Sequence, residues 1–420
     1  MVYVISKSGK PLMPCENVIA RLLLKNKKAK VIRREPFTIK LNYETTEYTQ
    51  PVTLGVDTGS GKIGVAATTP NGKVLYCSEV KVRNDITKKM KRRAKYRRNR
   101  RNRKTRYRAK RFDHRKNSIK KDRISPTMRS KIQSHIKEIE FVKKILPVKR
   151  IVLETGTFDA HLMKNPILAN SKVRHWGYQK GANYGFASVR EKVLNRDNYT
   201  CQICKGKNKS DCLHVHHIIF RSNGGSDTED NLITLCSKCH QDIHAEKIKI
   251  DLNGKIKGTL KYATQMNSIR KQLLKKYPEA IETFGYITKT NRFLLGIPKS
   301  HINDACVIAT GGKSFKASEK YYKKVCVSKG DYQQTKGVRS EQKLTTGKVD
   351  GFRKFDKVKY FGKSYFIKGR MIKTKTVILM GIDEKKIDFS NLGKGLKTPK
   401  MQNLKRVSAR KAWMVNLERN

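Results

Sequence analysis

The chain has 420 residues, with 95 Lys and Arg against 34 Asp and Glu and a formal net charge of +61. Such a chain repels itself and binds polyanions, so a nucleic acid is expected to form a large part of the working particle. No apolar run reaches the roughly 18 residues of a membrane span, and VYVISKSGKPL is too short and too polar for a signal peptide, which predicts an intracellular protein without a membrane partner.

Residues 1–50 have the pattern of a small α/β module. A strand-like VYVIS is followed by the turn Gly9-Lys10-Pro11, a helix pattern at Val18, Ile19, Leu22 and Leu23, and one or two strands in KVIRREPFTIKL. Over 51–80, Val52, Leu54 and Val56 alternate, a Gly- and Ser-rich turn follows Asp57, and Asn71-Gly72 signals a hairpin between two further apolar runs. Three successive antiparallel strands with an Asp on the first are the opening of an RNase H-like sheet. Asp is poorly favoured in strands, so Asp57 calls for a reason.

Residues 88–111, KKMKRRAKYRRNRRNRKTRYRAKR, hold sixteen Lys or Arg in twenty-four positions and no acid. As a helix the run would be about 36 Å long and basic on every face. A solvated basic tail would suit a terminus, but this run lies inside the chain. Residues 88–111 are therefore expected to form a helix buried in nucleic acid, with Arg92, Arg93, Arg97, Arg98, Arg100, Arg101, Arg103, Arg106 and Arg108 gripping phosphates.

Beyond it, Ile132, Ile136, Ile139 and Leu146 mark an amphipathic helix stopped by Pro147, and RIVLETG predicts a buried strand carrying Glu154. Residues 160–187, rich in Gly, Tyr and His, have the look of an irregular linker. A helix pattern near 264–275 precedes SHINDACVIA, a predicted helix with His301 and Asp304 three apart on one face. From about 313 the pattern turns to β, and FRKFDKVKYFGKSYFIKGRMIKTKTVILMGID alternates apolar and basic residues, which suggests a small basic barrel or sheet.

Nine cysteines include Cys201-x-x-Cys204 and Cys236-x-x-Cys239, 31 residues apart, the arrangement of a tetrahedral structural Zn²⁺ site. A redox dithiol is the competing reading of either pair alone. Cys15, Cys77, Cys212, Cys306 and Cys326 fit ordinary thiols. Between and after the pairs stands HVHHIIFRSNGGSDTEDNLITLCSKCHQDIH, which resembles the HNH nuclease motif, a ββα element around one divalent ion. By that resemblance His217 is the general base, His216 and His240 ligate the ion with His244 as a further candidate ligand, and Asn231 holds the loop that orients His217. A histidine-bearing zinc finger without chemistry is the bland alternative, and His214 receives no role.

VDTGS, VLETG and HINDA, with Asp57, Glu154 and Asp304, occur in the order in which an RNase H-like fold places its acidic ligands. Carboxylates suit Mg²⁺, and two ions about 4 Å apart can stabilise the attacking and leaving oxygens of a phosphodiester. His301 would be the matching proton acceptor. The set resembles a RuvC nuclease split into three pieces, with the basic helix after the first and the HNH module before the third. That interleaving is the plan of type II CRISPR effector nucleases, but only about 35 residues separate Arg115 from the Glu154 strand, too few for their helical recognition lobe. The chain resembles instead the transposon-associated IscB family. Pro11-Leu12-Met13-Pro14 matches its N-terminal motif, and GVRSEQ (337–342) and FRKFDKVKY (352–360) its C-terminal pattern.

The resemblance implies a multidomain α+β architecture: an N-terminal PLMP domain (1–50), RuvC part I (51–80), an arginine-rich bridge helix (81–115), RuvC part II and linker (116–187), an HNH domain (188–246), a linker with RuvC part III (247–312), and a C-terminal β domain (313–420) that reads a target-adjacent motif. It further implies a monomeric protein in a ribonucleoprotein with a guide (omega) RNA, a double-stranded DNA target, two Mg²⁺ in the RuvC site and one in the HNH site. The expected setting is prokaryotic, cytoplasmic and nucleoid-associated. An unguided HNH homing endonuclease or junction resolvase, and a non-enzymatic RNA-binding scaffold, are the rival readings. Neither explains two nuclease-like sites together with an arginine helix.

Overall fold

The computed structural model describes residues 1–102, 123–159, 162–163, 166–180, 183–206, 212–250, 260–328, 348–389 and 398–419. They form two compact units, Met1–Gly156 with Gln265–Asn420, and Thr157–Thr264.

In the first unit the alternation at Val52, Leu54 and Val56 produces the strand Val52–Asp57. It lies in a seven-stranded sheet ordered Ile281–Phe284, Val148–Thr155, Val52–Asp57, Lys62–Thr68, Val74–Lys81, Lys320–Cys326 and Trp413–Arg419. The three strands between Val52 and Lys81 form an antiparallel meander, its second turn closed by Gly72 at φ +73°. Val148–Thr155 runs parallel to Val52–Asp57, and Ile281–Phe284 parallel to Val148–Thr155. Leu54, Val56, Ile63, Val65 and Leu153 share a core with Ile132, Ile139 and Val142 of the helix Pro126–Lys143 and with Ile269 and Leu273 of the helix Lys261–Lys276. A separate cluster joins Ala66 and Cys77 to Ile302, Ala305 and Cys306 of the helix His301–Thr310. The sheet thus presents different side chains to different helices, as the period-two alternation requires.

A charged pair lies inside this core. Lys324 on Lys320–Cys326 is fully buried, its Nζ donating to Glu138 Oε1 at 2.8 Å and to the Tyr76 hydroxyl at 2.7 Å. Ser78 donates to the same Glu138 oxygen, and the ammonium lies 3.9 Å from the Phe141 ring centroid and 4.6 Å from that of Trp413. Burial pushes the Lys324 pKa down, and the Glu138 charge opposes that shift.

The described strands after residue 313 divide between two sheets. Lys320–Cys326 and Trp413–Arg419 extend the large one, with Val325 and Met414 buried, while Thr376–Met380, Lys363–Met371, Lys357–Tyr360 and Lys405–Ser408 make a four-stranded sheet over Val358, Ile367, Val377 and Leu379. Near the N-terminus, Tyr3–Ile5, Thr38–Leu41 and Ala29–Arg33 form a three-stranded sheet carrying the helix Asn17–Lys25. The helix forms where the pattern at Val18, Ile19, Leu22 and Leu23 places it, although of these four only Leu23 packs inward. Val18, Ile19 and Leu22 are exposed, and the inward stripe is Ala20, Leu23 and Leu24, which has the same i, i+3, i+4 period.

The basic run forms the helix Ile86–Asn102, which starts after Asp85, paired with Lys89 at 2.5 Å and Arg83 at 2.9 Å. The described side chains from Lys91 to Asn99 are all exposed. Arg103, Arg106, Arg108 and GVRSEQ lie outside the described residues, as do the side chains of Arg100 and Arg101. Among the described residues no helix is long and apolar enough to cross a membrane.

The second unit contains the helices Ser171–Gln179 and Val189–Arg196, the strands Leu213–His217 and Leu232–Cys236, and the helix Ser237–His244. The expectation of an irregular linker over 160–187 is corrected by Ser171–Gln179. Asn170 caps it by accepting from Lys172 N at 3.0 Å, a start signal hidden among polar residues.

Candidate functional site

Two adjacent strand positions start the carboxylate cluster. Asp57 ends its strand, and Glu154 is its register partner on the neighbouring parallel strand. The helix His301–Thr310 reaches them because glycines lie beneath it. A Cβ on Gly64 would sit 1.8 Å from the His301 carbonyl oxygen, and one on Gly55 2.4 Å from Ala309 N. Ser300 caps that helix by accepting from Asn303 N at 3.0 Å, and Gly311 ends it at φ +65°.

The close approach places His301 Nδ1 2.6 Å from Asp57 Oδ2, and this contact, against partial burial, raises the His301 pKa. Thr58 donates to the Glu154 carbonyl at 2.6 Å. Burial, reinforced by the Asp57 and Asp304 charges and opposed by a bond from Thr288, pushes the Glu154 carboxyl up to about 7. Asp304 is raised as well, first by burial and then by Asp57. Arg292, on the helix Gly285–Leu294, holds its Nε 2.9 Å from Asp304 Oδ1 without hydrogen-bond alignment. Glu154 Oε2 is buried with no hydrogen-bond partner. Two acids held toward their protonated forms beside Asp57, with an orphaned oxygen among them, fit a divalent cation.

The histidine cluster is tighter. The strands Leu213–His217 and Leu232–Cys236 pair antiparallel, with His217 opposite Leu232, and Ser237–His244 closes a ββα unit. The ring nitrogens of His216, His240 and His244 lie within 4.8 Å of one another, as do the four sulfurs of Cys201, Cys204, Cys236 and Cys239. Among the described residues these two sets close to that distance; the carboxylates do not join them. Burial, followed by the neighbouring His240, His244 and His217, holds His216 down to about 4, so its ring is neutral with a lone pair free to ligate. Its Nε2 is buried and unpartnered. Burial and the surrounding thiols push Cys239 up to about 12, the strain that a metal ion relieves by taking thiolates.

His217 borders the open cleft lined by His216, Phe220, Arg221, His240 and His244, and its Nε2 lies 3.0 Å from Asp227 Oδ1, which Arg221 also contacts at 2.7 Å. Asn231 is fully buried. It accepts from Ile219 N at 2.9 Å and donates to Ile219 O at 3.0 Å and Ser226 O at 2.9 Å, pinning the loop between the strands. Gly225 is required there, since a Cβ would lie 1.7 Å from Ile219 O.

Sequence reasoning did not name Asp227, Arg292 or Thr288, and it gave no role to His214, whose ring stacks on His240 at 4.8 Å. Asp227 lies between the glycine pair and Asp230-Asn231, where an acid beside a candidate base was a usable signal. Arg292 and Thr288 had none, because only the approach of two helices brings them in.

Residues 2–181 match the RRXRR protein family, a Cas9- and IscB-like N-terminal family, and Arg97-Arg98-Asn99-Arg100-Arg101 has the form of that name. Residues 201–246 match the HNH endonuclease family. Anaredoxin from Nostoc sp. (strain PCC 7120 / SAG 25.82 / UTEX 2576) is 34% identical over 70 residues, 17% of this chain and 90% of that protein. The type IV methyl-directed restriction enzyme EcoKMcrA of Escherichia coli (strain K12) is 38% identical over 66 residues, 14% of this chain and 24% of the enzyme. Streptococcus thermophilus Cas9, in a crystal structure with the AGAA PAM, aligns over 45% of this chain and 26% of its own at 13% identity. The TM-score of 0.30 is too low to carry an inference. With the RRXRR match leading into the HNH match in one polypeptide, the chain is similar to the IscB-like nucleases and is a metal-dependent nuclease.

Proposed function

We propose that the protein is an RNA-guided DNA endonuclease that cuts double-stranded DNA beside a short target-adjacent motif. The observation that carries this reading is the helix Ile86–Asn102, with ten Lys and Arg and no acid, set in the chain between the strand ending in Asp57 and the strand holding Glu154. A basic rod inserted between the two halves of a carboxylate cluster suits an RNA partner held against the nuclease core. The antiparallel meander flanked by two parallel strands supports an RNase H-like, RuvC-type core.

Asp57, Glu154 and Asp304 would hold Mg²⁺, and His216, His240 and His244 the HNH ion. The four cysteines would hold a structural Zn²⁺ that ties Cys201 and Cys204 to the ββα unit. A bound divalent ion stabilises negative charge on the attacking and leaving oxygens. His217, with Nε2 held by Asp227, takes the proton of the attacking water at Nδ1. His301, held through Nδ1 by Asp57, presents Nε2 for the same task in the other centre. The HNH centre is assigned to the guide-paired strand and the carboxylate centre to the displaced strand.

The test is denaturing electrophoresis of a duplex labelled on each strand in turn, with co-purified RNA and Mg²⁺. His217→Ala should spare the guide-paired strand, Asp57→Ala the displaced one, and the double variant should bind without cutting. Loss of both cuts in Asp57→Ala with binding intact would break the assignment. Equal cutting after the RNA is removed would favour an unguided HNH endonuclease. Replacing Arg97 and Arg98 by Ala should weaken RNA binding and flatten its log–log salt dependence by about 0.7–0.9 for each phosphate no longer neutralised.

A further inference from the structure

Residues 166–187 hold Lys172, Arg174, His175, Lys180, Trp176, Tyr178 and Tyr184 and no acid. The structure builds part of this segment into a firm element. The turn Pro166–Ala169 leads into the helix Ser171–Gln179, and Leu168 is 2% exposed. Gly177 permits that seat, since a Cβ there would come within 2.4 Å of Leu168 Cδ2. Arg174 Nε donates back to Leu168 O at 3.2 Å.

On this base two large rings stay open to solvent, Trp176 at 50% and Tyr184 at 63%. The Lys180 ammonium lies between them, 5.5 Å from the Trp176 centroid and 4.9 Å from that of Tyr184. A protein-docking patch would favour apolar neighbours, whereas these rings are interleaved with cations. Aromatic faces beside a phosphate-attracting charge are what an unstacked nucleic-acid strand binds.

We infer that Trp176, Lys180 and Tyr184 form a base-stacking platform for a single-stranded stretch of nucleic acid. It rests on the reading of this chain as a nuclease acting on opened DNA, but not on either metal centre. Its partner is a strand with exposed bases, recognised by stacking and phosphate charge without sequence choice.

The chain has two tryptophans, so the emission of Trp176 is obtained from the full-length protein minus its Trp176→Phe variant. A short mixed-sequence single-stranded DNA should quench that emission on binding, and heparin, a polyanion without bases, should displace the DNA and restore it. Trp176→Ala and Tyr184→Ala should each weaken binding of the oligonucleotide about tenfold with the salt slope unchanged, because the cations that neutralise phosphates stay in place. Trp176→Phe should retain most of the affinity. Full binding by anisotropy without quenching, or equal quenching by heparin, would overturn the platform. If the unmutated protein with its co-purified RNA and Mg²⁺ fails to cut a matched duplex yet still shows the quenching, RNA guidance falls and the platform stands.

Discussion

The histidine and cysteine clusters lie within the matched stretch 201–246, while the carboxylate cluster joins residues as distant as Asp57 and His301, 244 positions apart. The local centre has its ligand atoms closed to within 4.8 Å and its loop pinned by Asn231. The distributed centre is looser, and Arg292 and Thr288 occupy its acids. Spacing along the chain builds the first, and register between strands together with glycine contacts builds the second. The second therefore depends on packing between segments distant in the chain.

The largest break in this contrast should come from Gly64→Val. A side chain there collides with the His301 backbone, so the first unit should lose about 3 kcal/mol or more and the displaced-strand cut should vanish. Calorimetric melting and strand-resolved cleavage check this, and an unchanged metal content in the cysteine cluster would show the second unit untouched. The counterpart is Asn231→Ala, which strips partners from Ile219 and Ser226. It should cost about 2–3 kcal/mol in the second unit and slow the guide-paired cut alone.

A pH scan sharpens the comparison further. Glu154 is raised to about 7 by burial, so its folded form favours the proton. The resulting stability is complete below the ordinary glutamate range of about 4.3 and is lost as pH rises through about 7. Without Mg²⁺, denaturant midpoints should fall between roughly pH 5.5 and 8 by an amount worth about 1–2 kcal/mol, allowing for partial exposure. Glu154→Gln should flatten the curve, and Mg²⁺ should reverse the fall in the parent protein.

The smallest effect is expected from Arg292→Gln. If the guanidinium competes with a cation for Asp304, Mn²⁺ binding at the carboxylates should tighten a few-fold in the variant, as read by electron paramagnetic resonance. Weaker binding would instead make Arg292 a support of that carboxylate's position.

Legibility in the sequence follows the same division. Strand alternation at Val52, Leu54 and Val56, the Asn71-Gly72 turn and the helix pattern of SHINDACVIA are short-range signals, and each has a counterpart in the structure. The cysteine and histidine spacings were equally plain, and those side chains do converge. The pairing of Lys320–Cys326 and Trp413–Arg419 with the large sheet was hidden, because a strand's partner is decided by tertiary contact. The inner face of the first helix was hidden for a subtler reason: two stripes one residue apart both fit a helical period, and only packing against Ala29 and Ile39 selects Ala20, Leu23 and Leu24.

The Lys324–Glu138 pair bears on how far such a nuclease can be shortened. Lys324 belongs to the segment after the carboxylate helix, and Glu138 to the segment before the histidine unit, so each leaves the other's charge uncompensated if deleted. A truncation that ended the chain near residue 312 would strand the Glu138 carboxylate in an apolar interior, a change that typically costs about 3–5 kcal/mol. Compact versions for delivery would therefore keep the strands Lys320–Cys326 and Trp413–Arg419 and trim the small sheet between them, or replace Glu138 and Lys324 together by apolar residues of similar volume.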